Sequence, residues 1–362
     1  MRILIDVGHP SDVHLFRLFY EEMLKRNHQI LFTARDKEVT IGLLDAFKLN
    51  YISYGKPFKS RIGKLLGILK FDLHLYRLAR RFKPDLFFSH GSFYSSHVAF
   101  LMRKPFITFE DTGNLEQILL YKFFADVILT PDTFVRNLGK KHLKFKGTKE
   151  LAYLHPNNFV PDMSVLDEIG IKPGERIVLL RFVGWNASHD FGHNGITYAN
   201  KLRIIKEASK QARVFISSES KLPEDIAHLQ IKIAPEKILS VMYYADLLYG
   251  ESATMASECA IMGTPAIFVN NANISYTKEQ EKKYDLIYNF TESAEDQEKS
   301  IEKALALLAM PDLKNAWRTK SLKLIHEKID LTAFMIWFIE QYPDSSAILH
   351  KNPLFQDKFI MK

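Results

Sequence analysis

Two features of the sequence predict an α/β protein made of two doubly wound parallel sheets. Short apolar runs, each long enough for one buried strand, alternate with stretches of helical periodicity over residues 2–130. The same alternation starts again at residue 176 and continues to residue 289. Strands that are separated by helices of this length form parallel sheets covered by helices. Both halves of the chain are therefore expected to be Rossmann-like.

The stretch 151–162 divides the two series. It contains two prolines, a pair of asparagines and no helical period, which is typical of a linker. We expect a first domain over residues 1–155, a second domain over 156–332, and a C-terminal helix and tail over 333–362 that pack back on the first domain. Two such domains facing each other leave a cleft, the usual place for a ligand.

The apolar runs also predict where the individual strands lie. Strands are expected over residues 2–7, 29–34, 51–54, 85–89, 105–110 and 126–130, and in the second half over 176–183, 213–217, 230–233, 246–249, 266–270 and 286–289. The last helix is expected over 333–342, followed by a polar, proline-containing tail. Ligands in such sheets bind outside the carboxyl ends of the strands. Candidate site residues are therefore sought there.

The composition is that of an ordinary globular protein with a formal net charge of +7. The single cysteine, Cys259, excludes a disulfide framework and a multi-cysteine zinc site. No apolar run approaches the ~20 residues that span a bilayer, and the N-terminus is typical of a buried strand rather than a signal peptide. We expect a cytoplasmic protein with anionic partners but, in the absence of a recognised module, no nucleic acid.

The most informative stretch is Tyr-Gly-Glu-Ser-Ala-Thr-Met-Ala-Ser-Glu in the second half, which reads as a strand, a turn and a helix. Gly250 allows a sharp turn, and Ser252 or Thr254 can cap the helix. The first-turn amides at Ser252, Ala253 and Thr254 then lie at the positive end of the helix dipole, where a phosphate can bind. Glu258, one turn deeper, can accept hydrogen bonds from a ribose. The alternative is an ordinary capped helix of a parallel sheet.

Polar residues follow several expected strands of the first domain. His9 follows the first strand, His90 the fourth, and Glu110, Asp111 and Asn114 the fifth. Either acidic residue could accept a proton from a substrate hydroxyl, and His9, His90 and Asn114 are candidates for contacts with an acceptor. An ordinary turn with a helix cap is the alternative for the acidic pair.

His14, at the start of the first helix, is the first choice for a general base. A histidine near its unperturbed pKa can accept a proton at neutral pH. Glu110 and Asp111 are its rivals for this step. The alternative for His14 is a solvated or capping residue.

The loop after the first strand of the second domain offers further donor-binding candidates. Arg181 can contact a phosphate through two nitrogens, and Gly184 supplies a permissive backbone. His189, Asp190 and His193 suggest a metal site, but their spacing lacks a helical His-to-His pair with a third ligand nearby. We therefore expect no bound metal.

Residues 56–83 are strongly basic, with nine lysines or arginines against one acidic residue, Asp72. Apolar residues recur among them at helical spacing. The simpler interpretation is a helix packed on the sheet with a solvated basic face. The alternative is peripheral contact with an anionic membrane, on the inner face of the cytoplasmic membrane.

With these residues in place, the chain resembles the GT-B superfamily of nucleotide-sugar enzymes over nearly its full length. The block from Tyr244 to Pro265 carries most of the likeness. The chain looks closest to the domain-of-unknown-function family 354. It is also similar to the N-acetylglucosaminyltransferase that completes lipid II and to the non-hydrolysing UDP-N-acetylglucosamine 2-epimerases.

The resemblance implies roles for particular residues. In the transferase, the turn matching Ser252 to Thr254 holds the donor diphosphate, and the glutamate matching Glu258 holds the ribose. Ile238 lies where relatives cradle the base. His14 matches the histidine of the transferase's glycine-rich loop, although the loop here has only one glycine, Gly8.

The resemblance therefore implies a GT-B fold and a metal-independent glycosyltransferase without a cofactor. Its partners would be a UDP-linked sugar donor and a glycan or lipid-linked acceptor, in glycan or envelope polysaccharide synthesis. A UDP-N-acetylhexosamine 2-epimerase is the nearest alternative. The reduced glycine loop leaves a third hypothesis, a nucleotide-sugar or glycan-binding protein without catalysis.

Overall fold

The computed structural model describes residues 1–36, 39–55, 61–184, 194–218 and 220–361, with the side chains of 61–66 outside that description. Within these ranges the chain forms two compact units. The first comprises residues 1–158 and 328–362, and the second comprises 159–327. The sequence predicts 156 and 332 as the limits of the second unit, so the observed unit is shorter at both ends.

The first unit is built on a seven-stranded sheet. Its strands pair in parallel throughout, in the spatial order third, second, first, fourth, fifth, sixth, seventh. Their side chains are mostly buried, as expected of a parallel sheet with helices on both faces. In chain order the strands are β1 (Arg2–Val7), β2 (Gln29–Ala34), β3 (Tyr51–Ser53), β4 (Leu86–His90), β5 (Phe106–Phe109), β6 (Val127–Pro131) and β7 (His142–Phe145).

The helices that link these strands form two layers. The chain moves from β1 to β3 in one direction and from β3 to β7 in the other, so right-handed crossovers place the two sets of links on opposite faces. The first layer begins with α1 (Pro10–Lys25) and α2 (Thr40–Ala46). The second is α3 (Arg61–Phe82), α4 (Phe93–Met102) and α5 (Leu115–Tyr121), where α4 contacts both neighbours. A short helix, α6 (Leu151–Leu154), packs on α1.

The second unit has a five-stranded parallel sheet. Its spatial order is β12-β11-β10-β8-β9, where the strands are β8 (Ile177–Phe182), β9 (Arg213–Ser218), β10 (Leu247–Gly250), β11 (Ala266–Val269) and β12 (Ile287–Phe290). The direction in which the chain crosses the sheet changes between β8 and β10. In α/β sheets, ligands bind at such a switch point, outside the carboxyl ends of the strands. The helices are α7 (Ser164–Glu168), α8 (Tyr198–Ala208), α9 (Ile238–Tyr244), α10 (Ala253–Met262), α11 (Ser275–Lys282), α12 (Ala294–Leu308) and α13 (Leu313–Glu327).

After α13 the chain returns to the first unit. Helix α14 (Leu331–Glu340) packs on α1 and α6, and is followed by α15 (Asp344–Lys351) and a 3₁₀ segment (Pro353–Phe359). Asp330 caps α14 and also accepts hydrogen bonds from the amide side chains of Asn157 and Asn158, both at 3.1 Å. One carboxylate therefore joins the segment that leaves the first unit to the segment that re-enters it.

The prediction of two Rossmann-like parallel sheets is confirmed, but one predicted strand is wrong. Strand β7 and the helical structure of the tail, α15 and the 3₁₀ segment, are additional elements that the sequence analysis does not predict. Residues 230–233 do not form a strand and pair with β9 only through one bridge, from Gln230 to Ile216. The apolar residues there, Ile231 and Ile233, pack instead on a cluster formed by α7, α9 and neighbouring residues, so burial against helices produced the strand-like pattern.

Within the described ranges, none of the helices combines the length and the apolar character that crossing a bilayer requires.

The carboxyl end of β10 gives a direct test of the fold. A Cβ atom on Gly250 would lie 2.2 Å from the backbone oxygen of Arg181, so Gly250→Ala must displace β8. We expect a loss of about 3 kcal/mol or more in the free energy of unfolding, measured by urea denaturation. Gly42→Ala is the matched control, because the added Cβ on α2 meets nothing within 4 Å and alanine favours a helix by about 1 kcal/mol. Equal stability of the two variants would contradict this packing.

Candidate functional site

The turn after β10 has the local geometry that the sequence predicts. Ser252 lies before α10, and its hydroxyl accepts a hydrogen bond from the amide of Met255 at 3.3 Å. The amides of Ala253 and Thr254 belong to the first turn and so have no acceptor within the helix. These two residues are half-buried, and the helix dipole adds positive potential beside them. The turn can therefore receive a phosphate group.

Glu258 lies one turn further along α10 and is 6% exposed. Its carboxylate is therefore largely shielded from bulk solvent.

At the far end of the helix, Gly263 adopts a left-handed conformation, with φ of 73°. A Cβ there would lie 2.8 Å from the Cα of Arg318. Close packing of α10 against α13 therefore fixes the helix from its C-terminus.

Glu251, which the sequence reasoning did not single out, holds the neighbouring loop. One carboxylate oxygen accepts the amide of Val183 at 2.7 Å, and the other accepts the amide of Ile196 at 2.6 Å. Burial is the largest influence on this carboxyl group and raises its pKa. A single side chain thus fixes both described ends of the loop beside the start of α10. An acidic residue directly after the apolar run of β10 was the available signal.

Arg181 lies on β8 directly beside Gly250, as their strand register shows. Its guanidinium donates a hydrogen bond to the hydroxyl of Ser217 at 3.0 Å. Gly184 is half-buried at the start of the loop. Both residues therefore lie at the carboxyl edge of the second sheet, where the sequence places them.

His189, Asp190 and His193, which were considered as metal ligands and set aside, lie outside the described residues. In the part of the chain that the structure describes, no group of three or more His, Cys, Asp or Glu side chains is arranged to hold a metal ion. The absence of a bound metal stays a prediction.

Ile238 is the first residue of α9, after a 3₁₀ turn (Pro235–Lys237), and it packs in part on the cluster between α7 and α9. Residues 230–233 before it do not form the expected strand. The position beside the nucleotide base, which the resemblance implies for Ile238, stays a prediction.

In the first unit, the structure brings His90 and Asp111 together in a charged network. His90 Nδ1 lies 2.8 Å from a carboxylate oxygen of Asp12, and its Nε2 lies 2.9 Å from a carboxylate oxygen of Asp111. Lys149 Nζ lies 2.8 Å from the second oxygen of Asp111. The four side chains, all largely buried, connect the carboxyl ends of β4 and β5 with the first turn of α1 and the segment after β7.

The network determines the protonation of His90. Burial alone lowers its pKa, but the charge of Asp111 and the hydrogen bonds to Asp111 and Asp12 outweigh burial and raise the pKa to about 10. Burial would raise the pKa of Asp111, yet the charges of Lys149 and His90 hold it well below its usual range. His90 is therefore an imidazolium at neutral pH, with both nitrogens donating to carboxylates. In this state it cannot act as a general base.

Glu110 shapes the turn after β5. One oxygen accepts hydrogen bonds from the amide and hydroxyl of Thr112 and from the amide of Gly113, at 2.7–2.8 Å. The other accepts the hydroxyl of Tyr121 at 2.5 Å. Asn114 caps α5 through the amides of Glu116 and Gln117. Glu110 thus holds an ordinary turn followed by a helix cap, which is the alternative given above for the acidic pair. Both of its carboxylate oxygens accept hydrogen bonds.

His14 is buried inside the first unit, with 7% of its surface exposed. Its ring lies 5.5 Å from that of Phe47 and 5.2 Å from that of Tyr153. Burial, followed by the charge of Arg17, lowers its pKa to about 3. The expectation of a near-normal pKa is therefore wrong. The ring is neutral at neutral pH, and its Nδ1 has no hydrogen-bond partner among the described residues.

His9 has a structural role at the start of α1. Its Nδ1 accepts the amide of Ser11 at 3.2 Å, and its own amide donates to Asp12 at 2.9 Å. The two bonds form a capping box, although the imidazole itself is exposed. His9 is thus close in sequence and space to the His90 network through Asp12.

Asp6 is a buried carboxyl group that sequence reasoning missed. It accepts hydrogen bonds from the hydroxyls of Thr33, Tyr54 and Ser92, at 2.7, 2.9 and 2.5 Å. Burial raises its pKa despite these bonds. An acidic residue inside the apolar run of β1 was the signal. The network places a second carboxyl group at the same edge of the sheet as Asp12.

The chain thus forms two Rossmann-like units, each with polar groups gathered at the carboxyl edge of its sheet. Comparison with known proteins gives the family. A family model described as "Protein of unknown function (DUF354)" matches residues 1–325, and the chain belongs to this family. An uncharacterized protein of Methanocaldococcus jannaschii, MJ0665, is 25% identical over 279 residues, which cover 73% of this chain and 80% of that protein.

Solved structures agree with a GT-B-type fold. UDP-GlcNAc 2-epimerase from Neisseria meningitidis bound to UDP-GlcNAc is 14% identical, with a TM-score of 0.65 over 98% of this chain and 100% of that chain. SsfS6, a glycosyltransferase of Streptomyces sp. SF2575, is 13% identical, with a TM-score of 0.60 over 94% and 100%. The GT-B prediction is thereby confirmed, and the structural neighbours include glycosyltransferases and UDP-GlcNAc 2-epimerases.

The charged network predicts how stability depends on pH. The folded-state pKa of His90 is about 10, above the ordinary 6.5, so its stabilising contribution is complete below pH 6.5 and is lost as the pH rises towards 10. We expect His90→Gln to lower the free energy of unfolding by about 3 kcal/mol at pH 6, because the buried carboxylates of Asp12 and Asp111 both lose the imidazolium charge between them. The difference from the parent protein should shrink between pH 6.5 and 10.

The measurement is urea denaturation of both proteins across that range. His350→Gln is the control, since His350 is exposed on α15 and its loss should leave the parent profile unchanged. A constant difference between His90→Gln and the parent at every pH would contradict a charged His90.

Proposed function

We propose that this chain is a GT-B-type glycosyltransferase that uses a nucleotide-sugar donor, UDP-linked, in glycan or envelope polysaccharide synthesis. The observation that carries the proposal is the start of α10. It combines a tight turn at Gly250, first-turn amides that have no acceptor within the helix, and the buried carboxylate of Glu258 one turn deeper. Amides at a helix N-terminus bind a diphosphate without a metal, and a carboxylate can hold the two hydroxyls of a ribose.

The donor assignment follows from this turn. The amides of Ser252, Ala253 and Thr254 would bind the diphosphate, with Arg181 beside them on β8. Glu258 would accept the ribose hydroxyls. The neighbouring UDP-GlcNAc 2-epimerase was solved with UDP-GlcNAc bound, which supports a uridine nucleotide as the first ligand to test. Ile238 would lie beside the base, the position that the resemblance implies for it.

The first unit would supply the acceptor side and the proton transfer. Among His14, Glu110 and Asp111, the carboxylates are already held by several donors, whereas the neutral ring of His14 has a nitrogen without a described partner. His14 therefore remains the proposed base. Its pKa of about 3 makes it a weak base in this state, and an anionic substrate beside it would raise that pKa. His9, His90 and Asn114 would position the acceptor-side loops.

An epimerase acting on a UDP-N-acetylhexosamine is the second candidate. The buried carboxyl groups of Asp6, Asp12, Glu110 and Asp111 at one sheet edge favour it, because epimerisation needs acid and base groups but no acceptor. A binding protein without catalysis is the third. The full occupancy of Glu110 by hydrogen-bond donors favours that candidate. The transferase and the epimerase share the nucleotide-sugar ligand, whereas the binding protein would hold either a nucleotide sugar or a glycan. No bound metal or cofactor is proposed for any of them.

Nucleotide binding is tested by a matched pair of cap variants. Ser252→Ala and Ser293→Ala each remove a hydroxyl that caps a helix of the second unit, through Met255 and Asp296. Each should cost about 1 kcal/mol of stability. Only Ser252→Ala should also weaken the binding of UDP, measured by calorimetry against GDP, CMP and dTDP.

Glu258→Gln extends this test to the ribose. Hydrogen bonds to a charged group contribute about 1.5–3 kcal/mol, so we expect UDP affinity to fall about tenfold or more. Parent protein that binds none of the four nucleotides, or equal affinity in the two cap variants, would contradict the donor site.

Product analysis separates the three candidates. The parent protein is incubated with UDP-GlcNAc alone, and then with UDP-GlcNAc and candidate glycan or lipid-linked acceptors. The transferase proposal predicts transfer that requires an acceptor, and a base contributes about 10²–10⁴-fold, so His14→Gln should lower kcat by that amount with nucleotide affinity unchanged. An epimer formed without an acceptor would replace the transferase with the epimerase, and binding without turnover would favour the third candidate.

A further inference from the structure

The outer surface of the layer formed by α3, α4 and α5 is strongly apolar. Eight of the twenty exposed large apolar side chains in the described part of the chain lie on these helices or just after α5. Leu69 is 72% exposed, Leu119 is 65% exposed and Phe123 is 75% exposed. The others are Leu73, Phe100, Leu101, Leu115 and Leu120. We call these eight side chains the α3–α5 face.

Contacts between the helices make this face continuous. His97 on α4 lies between its neighbours, with Nδ1 2.9 Å from a carboxylate oxygen of Asp72 on α3 and Nε2 3.3 Å from the backbone oxygen of Leu120 on α5. The ring of Phe124 lies 5.2 Å from that of Phe100 and 5.4 Å from that of Phe123. Apolar side chains from all three helices therefore border one surface rather than scatter over the unit.

Positive charge accompanies the apolar side chains. Helix α3 has six lysines or arginines and one acidic residue, Asp72, which is paired with His97. Leu69, Leu73 and Arg77 recur every four residues, so a guanidinium continues the apolar row along the helix. The basic residues at the ends of the three helices are Arg80, Arg81, Arg103, Lys104 and Lys122.

We propose that the α3–α5 face docks on the surface of an anionic lipid bilayer. The exposed leucine and phenylalanine side chains would enter the interface, and the basic side chains would contact lipid phosphates. Reversible membrane binding needs both an apolar and a polybasic contribution, and this face supplies the two together. The proposal rests on α3, α4 and α5 alone, so it stands or falls independently of the proposed function.

Charge argues for lipid over a second copy of the chain. A two-fold pairing through the α3–α5 face would bring the basic residues of both copies together, which is unfavourable. A protein partner would need an acidic surface to match these basic side chains. The surface also differs from the expectation based on residues 56–83. It lies on three helices, and Lys56 and Lys59 fall outside the described residues.

The test is co-sedimentation of the full chain with vesicles of equal parts phosphatidylglycerol and phosphatidylcholine, and with vesicles of phosphatidylcholine alone. We expect binding to the anionic vesicles that weakens with added salt. Leu69→Ser/Phe123→Ser should reduce binding about tenfold or more. The matched control is Val160→Ser/Leu354→Ser, which removes apolar side chains that are 87% and 62% exposed elsewhere, and it should bind as the parent does.

A charge variant completes the design. Arg77→Gln/Arg80→Gln should lower anionic-vesicle binding about fivefold or more and reduce its salt dependence. Thermal melting of each variant verifies that it is folded. Absence of vesicle binding by the parent, or equal binding by the apolar and control variants, would overturn the proposal. A concentration-dependent dimer that Leu69→Ser/Phe123→Ser abolishes would assign the face to a second copy instead.

Discussion

The arrangement of the first unit depends on the pairing of His90 with Asp12 and Asp111. This interaction joins the first turn of α1 to the ends of β4 and β5, and Lys149 extends it to the segment after β7. A carboxylate or imidazolium alone at such a buried position would carry a large desolvation cost, so these groups stabilise one another only as a set. The set keeps charge at the edge of the sheet where α/β proteins bind ligands.

In the second unit, a single buried carboxylate, that of Glu251, holds the loop at the carboxyl edge of the sheet. Gly250 approaches the backbone of β8 so closely that the chain must turn there, and Glu251 then points back to the amides of Val183 and Ile196. The next residue, Ser252, does not contact this loop through these bonds and instead caps α10. Close strand packing, loop fixation and helix capping thus fall on three consecutive residues.

The sequence predicts features that depend on residues close together in the chain, and it does not indicate contacts between residues that are far apart in it. The Ser252 cap and the Gly263 end of α10 follow from spacing within one helix, and both are present. The pairing of Asp12 with His90 joins residues 78 apart, and no periodicity indicates it. The low pKa of His14 comes from burial and from the charge of Arg17, and the rings of Phe47 and Tyr153 beside it belong to other elements. The error at 230–233 has the same origin, because alternation does not tell a strand from burial against helices.

The two helical layers of the first sheet show how the exposed apolar surface arises. The C-terminal segment returns to the first unit and covers α1, where the rings of Phe334, Trp337 and Phe338 pack against one another. Nothing equivalent covers α3, α4 and α5 among the described elements, although those helices carry the larger exposed apolar surface. Such a surface promotes aggregation unless like charges keep the molecules apart. Arg77, Arg80 and Arg81 on α3 are exposed, and their like charges oppose such contacts between copies of the chain.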